Sequence, residues 1–198
     1  MSLVVLDIGV GNTASMVWAL ERLGARPVLS NDPAQVEQAE RLVFPGVGAA
    51  RYAAAQLDRL GLRSVLVAFD RPMLGVCLGM QLLFDASDEG EAQGVSRLPG
   101  RVRAIPASPE RPSPHMGWNT LTPVADEPLL DGVPAGAYAY FVHGFAAPVG
   151  PATTAVCDYG APFSAMVRKG ALAGCQFHPE RSGVVGARVL KNFLAQPC

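Results

Sequence analysis

Long apolar runs are absent from this 198-residue sequence, and none approaches the roughly 20 residues that span a bilayer, so we expect no membrane segment. Charge is also scarce, because charged residues make up 17% of the chain and nearly cancel, to a net charge of −1. That balance offers no basic surface for nucleic acid or for an acidic membrane. The N-terminus has no basic segment, and Asp7 interrupts its only apolar stretch, so we expect no signal peptide.

Cysteines are few and unpaired in their spacing. The four, at Cys77, Cys157, Cys175 and Cys198, match neither a metal site nor a disulfide framework. We therefore expect no metal and no cofactor, and free thiols in a reducing, cytoplasmic setting. No repeat, low-complexity tract or linker divides the chain, so one domain is predicted over residues 1–198, with enough apolar residues (49%) for a full core.

Four apolar runs in the first half are separated by amphipathic segments. They predict strands at residues 3–7, Pro27–Ser30, Arg41–Phe44 and Met73–Val76. Between the first two runs, Met16, Leu20 and Leu23 belong to a helical apolar stripe that Gly24 ends. This alternation predicts an α/β fold with a mostly parallel central sheet and helices on both faces.

The second half changes character, because residues 105–135 are rich in proline and include a predicted loop with His115 and Trp118. Antiparallel strands are predicted at 137–145, 153–157, 163–168 and 172–177. Residues 183–194 carry an apolar helical face that should pack on the sheet. We assign His143 a structural role, whereas Trp118 is either a contact anchor or the cover of a minor core.

The segment 72–84 predicts a strand, a sharp turn and a helix, with Cys77 at the apex. Gly75 and Gly79 flank it in a Gly-x-Cys-x-Gly pattern, which is a nucleophile elbow with sulfur as the nucleophile. Glycine is needed because the two backbone segments come too close for a Cβ atom. The helix N-terminus favours the thiolate. The alternative is a buried structural cysteine beside two turn glycines.

A histidine and a carboxylate that could serve this cysteine follow the predicted strand 172–177. Pro179 holds the preceding residue extended, so His178 and Glu180 should emerge on the same side of the chain. The pattern fits a catalytic triad in which the imidazole moves protons and Glu180 orients it. Taken alone, His178 could equally be a capping or core histidine.

Two glycine-rich turns follow predicted strands. In the first, Gly46, Val47 and Gly48 could aim backbone N–H groups at an oxyanion, with the N–H of Leu78 as a second donor, although a plain turn is the simpler reading. The second, at residues 9–14, imitates a dinucleotide fingerprint with Asp32 as the ribose ligand. We favour a modest role there, with Asn12 as the N-cap of the first helix.

Taken together, these motifs resemble the class I glutamine amidotransferases. The similarity extends to the glutaminase subunits of imidazole glycerol phosphate synthase, which belong to histidine biosynthesis. The matching segments span nearly the whole chain and lie at residues 7–12, 45–48, 75–84, 115–119, 140–143 and 176–180. The resemblance implies a three-layer α/β fold of the class I amidotransferase type, with antiparallel strands in the C-terminal half.

The resemblance also implies a chemistry in which L-glutamine is hydrolysed to glutamate and ammonia. Cys77 would attack the side-chain amide, His178 would act as base and acid, and Glu180 would orient the imidazole. The other implied roles are an oxyanion site at Val47, Gly48 and Leu78, and substrate binding by Gly46, Gln81 and Glu89.

The implied partner is a (β/α)₈-barrel synthase subunit, with which the chain would form a heterodimer. This subunit would use the ammonia to make imidazole glycerol phosphate and a ribonucleotide of aminoimidazole carboxamide. Family members are nearly inactive until that partner is bound, and Asn12, Trp118 and Arg181 match positions that lie toward it. A peptide flip in the turn at residues 45–48 is one way in which the partner could activate the site.

Three departures from the family pattern stand out. Gly144 and Phe145 replace a usual Ser-Tyr pair, Arg181 replaces a commoner lysine, and Ile8 replaces a usual tyrosine. Two alternative functions remain open from the sequence. They are the glutaminase of another pathway, such as pyridoxal phosphate synthase, and a stand-alone cysteine hydrolase that works without a partner.

Overall fold

The computed structural model describes residues 2–197. Met1 and Cys198, one of the four cysteines counted above, lie outside the described residues. The helices are α1 (Thr13–Arg22), α2 (Pro33–Gln38), α3 (Ala50–Arg59), α4 (Leu62–Ala68), α5 (Leu78–Gln81) and α6 (Gly183–Ala195). Within residues 2–197, no helix is long and apolar enough to cross a bilayer.

The strands fall into two groups along the chain. Those of the first half are β1 (Leu3–Leu6), β2 (Pro27–Ser30), β3 (Arg41–Phe44), β4 (Met73–Val76), β5 (Phe84–Ser87), β6 (Ala92–Gln93) and β7 (Leu98–Ala104). Those of the second half are β8 (His115–Thr120), β9 (Thr122–Pro123), β10 (Tyr138–His143), β11 (Phe145–Ala146), β12 (Thr153–Asp158), β13 (Pro162–Lys169) and β14 (Leu172–Cys175). Single 3₁₀ turns lie at Glu89–Glu91, Pro128–Leu130 and Pro179–Arg181.

An eight-stranded sheet in the order β2-β1-β3-β4-β14-β13-β12-β9 forms the centre of the fold. Strands β2, β1, β3, β4 and β14 run parallel, whereas β13, β12 and β9 continue the sheet in antiparallel pairs. The predicted parallel pairing in the first half and the antiparallel pairing of β12, β13 and β14 are therefore confirmed, but β14 also pairs in parallel with β4, which was not predicted. Parallel β4 and β14 are neighbours, which brings the segments that follow them, with Cys77 and His178, to the same edge of the sheet.

The central strands β1, β3, β4 and β14 are buried on both faces, whereas the edge strand β2 exposes Val28 and Leu29. In β1, Val4 and Leu6 belong to one apolar cluster, whereas Leu3 and Val5 belong to a second cluster. This alternation follows from the two-residue repeat of a strand, and it explains why the parallel strands are continuous apolar runs. The predicted apolar face of α6 is confirmed, because its buried residues pack within the second cluster.

The C-terminal half also contains a separate two-stranded ribbon, in which β10 pairs with β8 and His143 lies opposite His115. The prediction of a loop at residues 115–119 is therefore wrong. The predicted strand 137–145 is also divided at Gly144, because β11 leaves the ribbon to pair with β7 in a four-stranded sheet with β5 and β6. Proline and glycine around these short strands obscured their pairing in the sequence.

The helix after Cys77 is shorter than the prediction for segment 72–84. It makes one turn as α5, because the carbonyl groups of Leu82 and Leu83 accept hydrogen bonds from Val95 and from residues 97–98 rather than from the next helical turn. Strand β14 likewise ends two residues before the predicted end of the run 172–177.

The two glycines beside Cys77 are confirmed as points of close approach. A Cβ atom at Gly79 would overlap the carbonyl oxygen of Phe44, and one at Gly75 would lie 2.8 Å from the Cα atom of Met80. The helix α5 is therefore pressed against β3 and β4 at a distance that only glycine permits.

We expect Gly79→Ala to destabilise the fold by about 3 kcal/mol, because the added methyl group must displace backbone rather than a flexible side chain. Urea unfolding of the unchanged chain and of Gly79→Ala measures this difference in the free energy of unfolding. Gly150→Ala is the matched control, since its Cβ atom would lie 4.0 Å from the nearest atom, the carbonyl oxygen of Pro148. Equal urea midpoints for both variants would contradict the close approach at Gly79.

Candidate active site

The thiol of Cys77 sits on the turn between β4 and α5. Its backbone has φ 52° and ψ −111°, a conformation that non-glycine residues adopt only at a cost. The backbone N–H of Cys77 donates to the carbonyl of Cys175 at 2.8 Å, which fixes the turn to the neighbouring strand. The residue is 5% exposed, and Sγ lies 3.9 Å from the carbonyl oxygen of Val142. The predicted elbow geometry is confirmed.

The imidazole of His178 contacts Glu180, with Nδ1 at 2.8 Å from Oε1. The predicted contact is thus confirmed, but the chain between the two residues is not extended. His178 itself has extended dihedral angles, whereas Glu180 lies in the 3₁₀ turn Pro179–Arg181. This turn, rather than strand alternation, brings the carboxylate back to the ring.

The histidine backbone is held by the ribbon strand β10. The N–H of His178 donates to the carbonyl of Tyr140 at 2.9 Å. The Ser182 hydroxyl donates to the His178 carbonyl at 2.8 Å and accepts from the Tyr140 N–H at 2.9 Å. Three hydrogen bonds therefore fix the segment that carries the imidazole and its carboxylate.

Electrostatics distinguish His178 from the other two histidines. Burial opposes its charged form, but the interactions with the nearby Cys77 sulfur and the Glu180 carboxylate outweigh that cost and raise the pKa of His178 to about 10. Burial instead lowers the pKa of His115 to about 4 and that of His143 to about 3. Of the three histidines, only His178 is thus positively charged at neutral pH.

Two buried polar atoms at the site have no hydrogen-bond partner among the described residues. They are Nε2 of His178 and Oε2 of Glu180. A buried donor on the imidazolium, beside the thiol that raises its pKa, is suited to deliver a proton to a leaving group. The free nitrogen is the one opposite the Glu180 contact, as a triad requires.

A cavity of about 70 Å³ opens beside the thiol. Its walls are Val47, Gly48, Cys77, Leu78, Gln81, Glu89 and residues 142–145. The structure therefore brings all the predicted oxyanion and substrate residues except Gly46 into one cavity with the nucleophile. The carboxylate of Glu89 accepts from the Ala50 N–H at 2.9 Å, which anchors it at the rim. Larger cavities elsewhere contain no part of the thiol–imidazole pair.

The oxyanion turn is arranged differently from the expectation. The N–H of Leu78 donates to the Gly46 carbonyl at 3.3 Å, so this donor already has an acceptor. Gly48 has φ 101°, which only glycine adopts readily. A Cβ atom at Gly46 would lie 3.2 Å from the Cβ atom of Leu78, so the turn is pressed against the start of α5.

The three residues predicted to face a partner are all exposed. Asn12 is the N-cap of α1 and accepts from the Ser15 N–H, which confirms its predicted capping role. Trp118 is 55% exposed on β8, and its ring lies 5.9 Å from that of Tyr140 at an angle of 69°. Arg181 lies in the 3₁₀ turn after β14, which packs against both β10 and α1. These elements adjoin one another, next to the triad.

The nucleotide-like motif near the N-terminus has a structural explanation. Asp32, the candidate ribose ligand, caps α2 by accepting from the Ala34 N–H at 3.0 Å. Ile8, one of the departures from the family pattern, is 1% exposed and packs in the first apolar cluster. Within residues 2–197, no group of three or more His, Cys, Asp or Glu side chains could hold a metal ion.

Gln176 is a site residue that the sequence did not predict, since it is 0% exposed and contacts the Cys77 sulfur. The signal was its place two residues before His178, at the end of an apolar run where a buried amide needs polar partners. Ser182 was likewise not predicted, and its hydroxyl joins the histidine segment to β10.

The geometry can be compared with known proteins. The model of the family "Glutamine amidotransferase class-I" matches residues 4–197. The chain belongs to this family. Among solved structures, a glutamine amidotransferase matches with a TM-score of 0.76 and 18% sequence identity. The match covers 98% of this chain and 97% of the chain in that structure. The glutaminase domain of CTPS from Trypanosoma brucei has a TM-score of 0.64 and 15% identity, at 98% and 93% coverage. These likenesses confirm the predicted fold class.

Curated relatives of this amidotransferase are much closer in sequence. The imidazole glycerol phosphate synthase subunit HisH of Xylella fastidiosa (strain 9a5c) is 49% identical over 189 residues, 96% of this chain and 94% of the relative. That of Xanthomonas campestris pv. campestris (strain 8004) is 48% identical over 192 residues, 97% and 96% of the two chains. This identity places the amidotransferase among the HisH subunits, and the predicted resemblance and enzyme class are confirmed.

We expect Cys77→Ala to lower the pKa of His178, because the substitution removes the sulfur whose interaction favours the imidazolium. The raised value also means that the imidazolium stabilises the fold fully below pH 6.5, and that this contribution is lost as the pH rises through about 10. Proton–carbon NMR of the histidine Cε1 groups measures the pKa of His178 in the unchanged chain and in the variant. A His178 signal that titrates near 6.5 in the unchanged chain would contradict the thiol–imidazole interaction.

Proposed function

We propose that this amidotransferase hydrolyses L-glutamine to glutamate and ammonia with Cys77, His178 and Glu180, and supplies the ammonia to a synthase partner. The observation that carries the proposal is the His178–Glu180 contact of 2.8 Å next to a cysteine on a strand-to-helix elbow. This arrangement provides the nucleophile, the base and the orienting carboxylate that a triad needs for acyl transfer.

In the first half-reaction, the Cys77 sulfur attacks the side-chain amide carbon of glutamine and forms a tetrahedral intermediate. The imidazolium of His178 gives its Nε2 proton to the amide nitrogen, so ammonia leaves and a thioester remains. In the second, His178 takes a proton from water, the hydroxide attacks the thioester, and glutamate is released with the sulfur restored. Glu180 holds the ring through Nδ1 in both steps.

The oxyanion of the intermediate needs N–H donors from Val47, Gly48 and Leu78. The Leu78 N–H is engaged by the Gly46 carbonyl at 3.3 Å, so we propose that the peptide between Gly46 and Val47 rotates before catalysis. Rotation would withdraw the carbonyl, free the Leu78 donor and turn the Val47 N–H toward the oxyanion. The positive φ of Gly48 allows the turn to adapt. Identical turns in the free chain and in an active complex would exclude this step.

Substrate recognition is proposed at Gln81, Glu89 and the backbone of Gly46. The Glu89 carboxylate at the rim would attract the α-ammonium group of glutamine, and the Gln81 amide would accept from it. Gly144 and Phe145 have no hydroxyl groups, so contacts from this wall come from their backbone. The Phe145 carbonyl already accepts from Gln81 at 2.7 Å.

The proposed partner is a (β/α)₈-barrel synthase subunit of histidine biosynthesis, bound as a heterodimer through the surface of Asn12, Trp118 and Arg181. Support comes from the curated relatives, which are named as subunits of imidazole glycerol phosphate synthase. We further propose that residues 1–198 work as one domain in the cytoplasm. The free thiols of Cys77, Cys157 and Cys175 suit that reducing compartment.

The hydrogen bond of the Leu78 N–H within the free chain favours a partner-dependent glutaminase over a stand-alone cysteine hydrolase. A hydrolase that works without a partner needs its oxyanion donors available in the free chain. Here the Leu78 N–H is bonded within the chain. The relatives likewise favour histidine biosynthesis over the glutaminase of pyridoxal phosphate synthase.

We expect Cys77→Ala to abolish glutamine-dependent synthesis by the complex with the barrel subunit, while synthesis from added ammonium salt is retained. The physical reason is that the sulfur only releases ammonia, which the salt replaces. Cys157→Ala is the control, because this thiol is buried in β12, away from the triad, and should leave both reactions intact. Loss of the ammonia-driven reaction in Cys77→Ala would show that Cys77 is structural and overturn the division of labour.

A further inference from the structure

Gln176 directly follows β14, and its polar side chain is wholly buried. It is 0% exposed, and its backbone N–H donates to the Ala165 carbonyl at 2.9 Å. Burying an amide is costly unless its side chain finds partners. The side-chain partners of Gln176 are two residues of the active site.

One end of the Gln176 amide reaches the nucleophile and the other reaches the substrate pocket. Its Nε2 donates to the Cys77 sulfur at 3.5 Å, and its Oε1 accepts from Gln81 Nε2 at 3.0 Å. The same Gln81 nitrogen donates to the Phe145 carbonyl at 2.7 Å. A continuous set of hydrogen bonds thus joins the pocket wall to the sulfur.

The direction of these bonds follows from the Phe145 carbonyl, which can only accept. Gln81 must therefore present its NH₂ group there, and the same nitrogen faces Gln176. Gln176 must then present its oxygen to Gln81, which leaves its own NH₂ group for the sulfur. Turning either amide over would set acceptor against acceptor or donor against donor.

We propose that Gln176 is a positioning residue of the glutaminase site, which donates to the Cys77 sulfur and holds the Gln81 amide in its binding orientation. This role rests on the proposed function of Cys77 as nucleophile. A buried N–H···S hydrogen bond becomes stronger when the sulfur is negatively charged, so this bond favours the reactive thiolate. Since both hydrogens of Gln81 are used, its oxygen is left to accept from a ligand.

The hydrogen bonds continue beyond the pocket to the ribbon, which favours a well-defined amide orientation at Gln176. The Phe145 carbonyl also lies 2.8 Å from His143 Nδ1, and His143 Nε2 lies 3.2 Å from His115 Nδ1. Burial keeps both rings neutral at pH 7, since their pKa values are about 3 and 4. His143 then donates to the carbonyl and accepts from His115, so every bond in the series has a donor and an acceptor.

The test is the pH dependence of Cys77 alkylation by iodoacetamide, measured without glutamine or partner in a Cys198→Ser background. Burial raises the pKa of Cys157 to about 12 and also raises that of Cys175, so Cys77 reacts first. We expect Gln176→Met to move the midpoint of the rate profile upward by about one pH unit, which is about tenfold slower alkylation at pH values below both midpoints.

Gln176→Glu is the second variant, because it keeps the shape of the side chain and replaces the NH₂ group with an oxygen atom. Its midpoint should move upward at least as far, and in the complex with the barrel subunit it should lower kcat for glutamine. Phe177→Leu is the matched control for a purely structural effect. It disturbs the packing of the adjacent buried residue and should leave the midpoint unchanged.

An unchanged alkylation midpoint in both Gln176 variants would overturn the proposal, as would an equal shift in Phe177→Leu. Because alkylation does not need glutamine, the outcome is separate from that of the proposed function. A shifted midpoint in a chain that never hydrolyses glutamine would keep the Gln176–Cys77 interaction and reject the glutaminase.

Discussion

The close approach of α5 to the central sheet is the constraint on which the site depends. Because Gly79 has no side chain, the helix can begin directly against the Phe44 carbonyl, and Cys77 must take an unusual backbone conformation at the turn. The cost is met by the buried sheet around it, in which the Cys77 N–H pairs with the neighbouring parallel strand. Parallel pairing of β4 and β14 then brings the His178 segment to the same edge, so the reactive geometry is a product of sheet order.

The ribbon of β8 and β10 is the second element that holds the site. From one strand, the carbonyls of Tyr140 and Val142 reach the His178 backbone and the Cys77 sulfur. On the other strand, Trp118 is exposed on the surface that we assign to the partner. A partner that binds this surface would therefore press on the element that fixes both reacting groups. Together with the engaged Leu78 donor, this arrangement gives a physical basis for the partner dependence that we propose.

The sequence predicted the features that local rules determine, and it failed where distant segments compete. The bounds of β2, β3 and β4 match the predictions, because each is a short apolar run between turn residues, and β3 and β4 are buried on both faces as parallel strands usually are. The His178–Glu180 contact was predicted from strand alternation, yet a 3₁₀ turn creates it. The β8 strand and the short α5 were missed, because each is decided by hydrogen bonds to residues far along the chain. For the same reason, no local pattern could show that Gln176 contacts Cys77, 99 residues away.

The most direct test is the rate of glutamate release from glutamine by this chain alone, and then with the barrel synthase subunit and its nucleotide substrate. The account predicts very slow hydrolysis by the free chain, because its Leu78 donor is engaged, and a large stimulation when both partner and nucleotide are present. Brisk hydrolysis by the free chain would contradict partner-dependent activation, and it would assign the same triad to a hydrolase that works alone.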